Sequence, residues 1–148
     1  GWTSAQILEG LEEWLEAVGP VDVVLFSSPG GNDILNGLES YEETIANING
    51  IIDLLQATHP DITVIIEQTA PAKSDFTTPK LSEDFMRVNA EILRIAEEQN
   101  TAETPVIAVD MFTGFDDSHL ADDVHYNESG AQLIAARYLE VLQDVLQR

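Results

Sequence analysis

The chain has 148 residues, 44% of them hydrophobic, with 27 Asp plus Glu against 6 Lys plus Arg and a formal net charge of −21. This length and hydrophobicity suit one domain, residues 1–148, with a buried core, and the charge repels nucleic acid and anionic membranes. The absence of cysteine excludes disulfides, thiolate metal sites and a cysteine nucleophile.

The only lysines are Lys73 and Lys80. So large an acidic excess fits a salt-adapted protein, halophilic or marine, whose self-repulsion is screened by salt, and it also fits an ordinary acidic protein with solvated helix faces. Either a secreted or a cytoplasmic setting agrees with this. No apolar run approaches the ~20 residues that cross a bilayer. The chain opens at GWTSAQ without Met, which leaves room for an upstream leader or more.

In chain order, TSAQILEGLEEWLEAV places Ile7, Leu8, Leu11, Trp14, Leu15 and Val18 at helical spacing, and Gly19-Pro20 ends the pattern. Residues 21–26 read as a short strand, apolar on both faces, followed by SSPGGNDILNG. Ser40 and Glu43 then stand in capping-box spacing at the head of a helix carrying Ile45, Ile48, Ile52 and Leu55 on one face. Residues 62–68 form a second buried strand, and the Pro-rich loop TAPAKSDFTTPK follows. A helix is predicted over 82–99 with Phe85, Val88, Ile92 and Ile95 inward. TPVIAVD is a third strand ending at Asp110, and a long loop leads to a last helix over 128–147 on Leu133, Ile134, Tyr138, Val141 and Leu142.

Strands alternating with helices predict the α/β class, a parallel sheet covered by helices on both faces. Ligands of such sheets bind outside the carboxyl ends of the strands. Asn32 and the loops after Gln68 and Asp110 are therefore expected at one sheet edge.

Two residues there can carry chemistry. His125 follows Asp122 by three positions in ADDVH, a spacing that lets the carboxylate fix one imidazole nitrogen and leave the other as a base; an acidic loop also contains such a pair by chance. Asn32, held by glycines at a strand end, can donate to a developing oxyanion, or it belongs to an Asn-Asp turn with Asp33 capping the stretch ILNG. His59 reads as a cation at a helix end and His119 as a loop residue, neither with a partner at useful spacing. Ser4 reads as part of a helix start. Asp110, Asp116, Asp117, Asp122 and Asp123 could be taken for a cation site, but their spacing fits no Ca²⁺ loop, which favours a solvated acidic loop.

GGND followed by a helix, and DDVHYNESGAQLIAARYLEVL near the C-terminus, resemble the third and fifth sequence blocks of the SGNH hydrolases, also called GDSL esterases and lipases. GWTSAQILEGLEEWL is similar to the segment after that family's second block, with Gly1 at the block's glycine. VDMFTGFDDSHLADDVHYNESG resembles the small carbohydrate-esterase and acetylesterase-like members. The resemblance implies a three-layer, flavodoxin-like fold with sheet order 2-1-3-4-5, of which the first two strands are missing here. It implies a serine esterase acting on short acyl esters, with Asn32 as an oxyanion donor, His125 as general base, Asp122 orienting it and Gly1 as a second oxyanion donor. This chemistry needs no metal or cofactor.

The family's nucleophile stands in a Gly-Asp-Ser block, and no GDS occurs in these residues. The serine is then expected outside the chain, with Ser27 or Ser28 as substitutes and a non-catalytic binding module as the alternative. The partners expected are a small ester substrate and, at the edge of the 21–26 strand, a missing N-terminal segment or a second copy of the chain.

Overall fold

The structure is a computed structural model, and it describes residues 1–147. Helix α1, Ser4–Val18, starts where the Thr3 hydroxyl accepts from the Gln6 amide and the Gln6 side chain returns the bond to the Thr3 amide. Strand β1, Val23–Phe26, leads through Ser27–Gly30 into a short helix α2, Gly31–Asn36. Helix α3, Tyr41–Thr58, opens on the expected Ser40–Glu43 box. Strand β2, Thr63–Gln68, helix α4, Pro79–Gln99, strand β3, Val106–Asp110, a 3-10 turn, Asp117–His119, and helix α5, Glu128–Val145, complete the chain.

The three strands are parallel in the order β1-β2-β3, with Phe26 beside Ile66 and Ile66 beside Ala108. One face of the sheet, through Phe26, Val64, Ile66 and Val106, packs on Ile48, Ile52, Leu55, Val88, Ile92 and Ile95 of α3 and α4, with α1 outside α3. The other face, through Ile65 and Val109, packs on Ile134 and Tyr138 of α5. This is the helix–sheet–helix layering expected from the alternation. No helix among the described residues is long and apolar enough to cross a membrane.

Several boundaries differ from expectation for local reasons. Helix α4 begins at Pro79, three residues before the predicted start, because the Thr78 hydroxyl accepts from the Leu81 amide and Pro79 suits a first helical position. Val18, expected inward, is 73% exposed at the end of α1. Asp33 does not cap the stretch ILNG. Gly30 is the N-cap of α2, and Asp33 lies inside that helix, buried, where it accepts from the Ser4 amide (2.9 Å) and the Ser4 hydroxyl. It thus anchors the start of α1, and Ser4 is, as read, its first residue. Strand β1, expected to be apolar on both faces with its family neighbour missing from this chain, does pair only with β2 among the described residues, and Leu25 is 45% exposed.

Candidate active site

The carboxyl ends of the strands open on a cleft of about 260 Å³. Its polar rim carries Gly1, Ser27, Ser28, Asn32 and His125, and Leu35, Ala70, Phe85 and Val124 supply much of its apolar wall. Residues separated by almost the whole chain therefore meet where the sheet rule places a ligand.

His125 and Asp122 form a tight local unit. A backbone bond from Ala121 N–H to His125 O (2.8 Å) and a bridge between Leu120 and Tyr126 close the loop that presents them. Asp122 accepts from the amides of Val124 (3.0 Å) and His125 (2.8 Å), and His125 Nδ1 lies 2.9 Å from Asp122 Oδ2. The two amides first, and the imidazole after them, hold the Asp122 carboxyl down at about 2. With Nδ1 engaged and the His125 side chain 78% exposed, Nε2 is the ring nitrogen left to accept a proton.

The opposite rim is set by the SSPGGND turn. Asn32 is half-buried, and its Nδ2 donates to Trp2 O (2.9 Å), which fixes the amide beside Gly1 and leaves a second N–H. Gly30 has φ 73°, and a Cβ there would come within 2.7 Å of Thr44 Cγ2. Gly31 N–H is already used by Ser28 O (3.0 Å). The first residues of α2 thus lie against their neighbours with little slack.

Beneath this turn lies a residue that the sequence reading passed over. Glu67 on β2 is 0% exposed. Its Oε1 accepts from Ser28 N–H (2.5 Å) and Ser27 Oγ (3.1 Å), and its Oε2 from the Tyr138 hydroxyl (2.6 Å). Burial pushes the Glu67 carboxyl above its ordinary range despite these donors, and it raises Tyr138 and, to about 12, Tyr126. A glutamate inside the β-branched run ITVIIEQ was the available signal, since charged side chains are almost never fully buried unless partnered.

The other singled-out residues have local duties. His59 is the C-cap of α3 with a buried Nε2 that has no partner among the described residues. His119 does have a partner at useful spacing, contrary to the sequence reading: Asp116 stands three positions before it, and Asp116 N–H donates to His119 Nδ1 (3.2 Å). The five aspartates of the acidic loop do not converge. Asp110 and Asp116 accept from nearby amides and Asp117 from Ser74, and among the described residues no group of three or more His, Asp or Glu side chains is arranged to hold a metal.

Residues 1–133 match the family model described as GDSL-like lipase/acylhydrolase. The chain belongs to this family. It is an ester-hydrolase domain, and the likeness read from GGND and DDVH is that of a member. The carbohydrate esterase family 3 structure from Talaromyces cellulolyticus superposes with a TM-score of 0.86 at 26% identity, over 99% of this chain and 69% of that one. A serine-to-alanine variant of an acetyl esterase, crystallised with acetate ion, gives 0.82 and 27% over 97% and 70%. A GDSL-like lipase from Bacteroides thetaiotaomicron, 20% identical with a TM-score of 0.79 over 97% and 72%, shares the fold. No curated protein matches the chain.

Proposed function

We propose that this chain carries the base and the oxyanion side of a serine esterase for short acyl esters, with the nucleophilic serine on a segment outside these 148 residues. The observation that carries the reading is the meeting of the Asp122–His125 pair and Asn32 on one cleft. The serine Oγ attacks the ester carbonyl and its proton passes to His125 Nε2. The oxyanion accepts from the free N–H of Asn32, and Asp122 stabilises the imidazolium. Collapse expels the alkoxide, which takes the proton from the imidazolium, and water repeats the sequence on the acyl-enzyme.

The likeness to an acetyl esterase favours an acetyl-sized acyl group. Acetate bound to the acetyl esterase variant accords with that size. No serine hydroxyl of the described residues hydrogen-bonds His125, and Ser27 Oγ is engaged by Glu67. The unpaired edge of β1 supports a serine-bearing strand there, since a parallel neighbour would end beside Ser27 at the cleft. A second reading makes Ser28 the nucleophile, because it lines the cleft with φ 48° and strained backbone clusters at catalytic positions.

The test is hydrolysis of a chromogenic acetyl ester by the chain alone and with an added strand–loop segment bearing Gly-Asp-Ser. Turnover only with the segment, abolished by His125→Ala, is expected. Turnover by the chain alone that is lost in Ser28→Ala would support the second reading. No turnover in either arrangement would make the domain a non-catalytic binding module.

A further inference from the structure

We infer that Glu67 is a positioning residue of the site: through Ser27, Ser28 and Tyr138 it sets the distance between the Asn32 rim and the His125 rim. The inference rests on the esterase reading for its role in rate, and on geometry alone for its role in shape.

Glu67 occupies the central strand, one residue before the carboxyl end of β2, on the face that packs against α5. One carboxyl oxygen is spent on the β1–α2 turn and the other on α5, so a single side chain bridges the two elements. The turn end matters because Ser28 is the only non-glycine with positive φ among the described residues, at 48°. Left-handed backbone at a serine costs free energy that surrounding bonds must offset. The bond that holds it is the Ser28 N–H to the buried Glu67 carboxyl, although Ser28 itself is exposed at the cleft.

From Ser28 the constraint runs directly to Asn32. Ser28 O fixes Gly31 N–H, and the Ser28 hydroxyl lies where a Cβ on Gly31 would collide with it. At the other end, Tyr138 is on α5, whose N-cap Asn127 follows His125 by two residues. Asn127 Nδ2 donates to Ser118 O (2.7 Å), and its backbone N–H donates to His119 O (3.0 Å). Helix α5 and the loop bearing His125 are thereby one body, which Glu67 ties to the turn bearing Asn32. Ionised, the carboxyl accepts from the Tyr138 hydroxyl, and neutral, it can donate to the Tyr138 oxygen, so the tie does not depend on a fixed charge.

The experiment compares the full chain with Tyr138→Phe, Glu67→Gln and Glu67→Leu, by side-chain NMR of Asn32 and His125 and by kcat and KM with the Gly-Asp-Ser segment added. Tyr138→Phe should shift both the Asn32 amide and the His125 ring signals while the chain stays folded. It should lower kcat on the order of 10- to 100-fold with KM little changed, the scale of a small misplacement of reacting groups. Glu67→Gln, which can still accept from Ser28, should recover most of the rate, and Glu67→Leu should not. Unmoved Asn32 and His125 signals in folded Tyr138→Phe and Glu67→Leu would overturn the inference. So would rates that fall only with the folded fraction. If the wild-type chain shows no turnover, the proposed function fails, and the NMR shifts still decide the positioning role.

Discussion

Asp122 keeps its charge chiefly through backbone amides and only secondarily through the imidazole. The amides of Val124 and His125 are the larger cause of its pKa of about 2, so it is a carboxylate across the neutral range whatever the state of the imidazole. Asp122→Asn preserves an acceptor for those amides and removes the charge behind Nδ1. The expected result is a kcat lower on the order of 10²- to 10⁴-fold with an almost unchanged melting temperature; a loss under tenfold would remove Asp122 from the machinery. Glu67 is the opposite case, a carboxyl whose folded pKa is raised from 4.5 by burial. Such a group holds its proton more tightly folded than unfolded. Its contribution to stability is therefore complete below the unfolded value and is lost as pH rises through the folded one. Thermal melts of wild-type and Glu67→Gln between about pH 4 and 7 should show the wild-type losing ground as pH rises, and a gap independent of pH would refute this. The two residues also differ in legibility. Asp122 and His125 were readable because three positions separate them, whereas the donors to Glu67 lie 39, 40 and 71 positions away and no local pattern reports them.

At the level of elements, the periodicity of apolar residues located every strand and the long helices, because burial on one or two faces imposes it. Boundaries set by single side chains were less visible: the Thr78 cap moved the start of α4, and the demands of Gly30 and Ser28 turned SSPGGND into a rigid entry to α2. The inward face of α4 hides another such device. Asn89, buried among Phe85, Val88 and Ile92, accepts from Thr69 N–H (2.8 Å) and donates to Thr69 O (3.0 Å), holding the wall of the cleft as a neighbouring strand would. Asn89→Leu keeps the helix and orphans both backbone groups in a dry site. It should cost about 2–4 kcal/mol in chemical denaturation and raise KM through the loosened 69–72 wall. Stability within about 0.5 kcal/mol of wild-type would show that the loop finds other partners.

Across the whole molecule the dominant fact is a charge that its own cations cannot balance. Of the 6 basic residues against 27 acidic ones, Lys80 and Arg94 are spent on acids of their own helix, at Asp84, Glu91 and Glu98. Arg137 instead donates to the backbone carbonyls of Asp110 and Thr113, and Arg87 lies 3.8 Å over the Tyr41 ring. Local pairs on exposed helices add little, so the net repulsion among the remaining acids opposes compaction over distances longer than a contact. Salt shortens that range, from a Debye length of about 10 Å at 0.1 M to about 3 Å at 1 M. The melting temperature should therefore rise between low and molar sodium chloride, read by circular dichroism at neutral pH, and the rise should shrink near pH 4, where many carboxylates are neutral. A melting temperature flat in salt at neutral pH would mean that the acidic surface is already relaxed by spacing alone. A rise of equal size at both pH values would assign the effect to solvent exclusion rather than to charge.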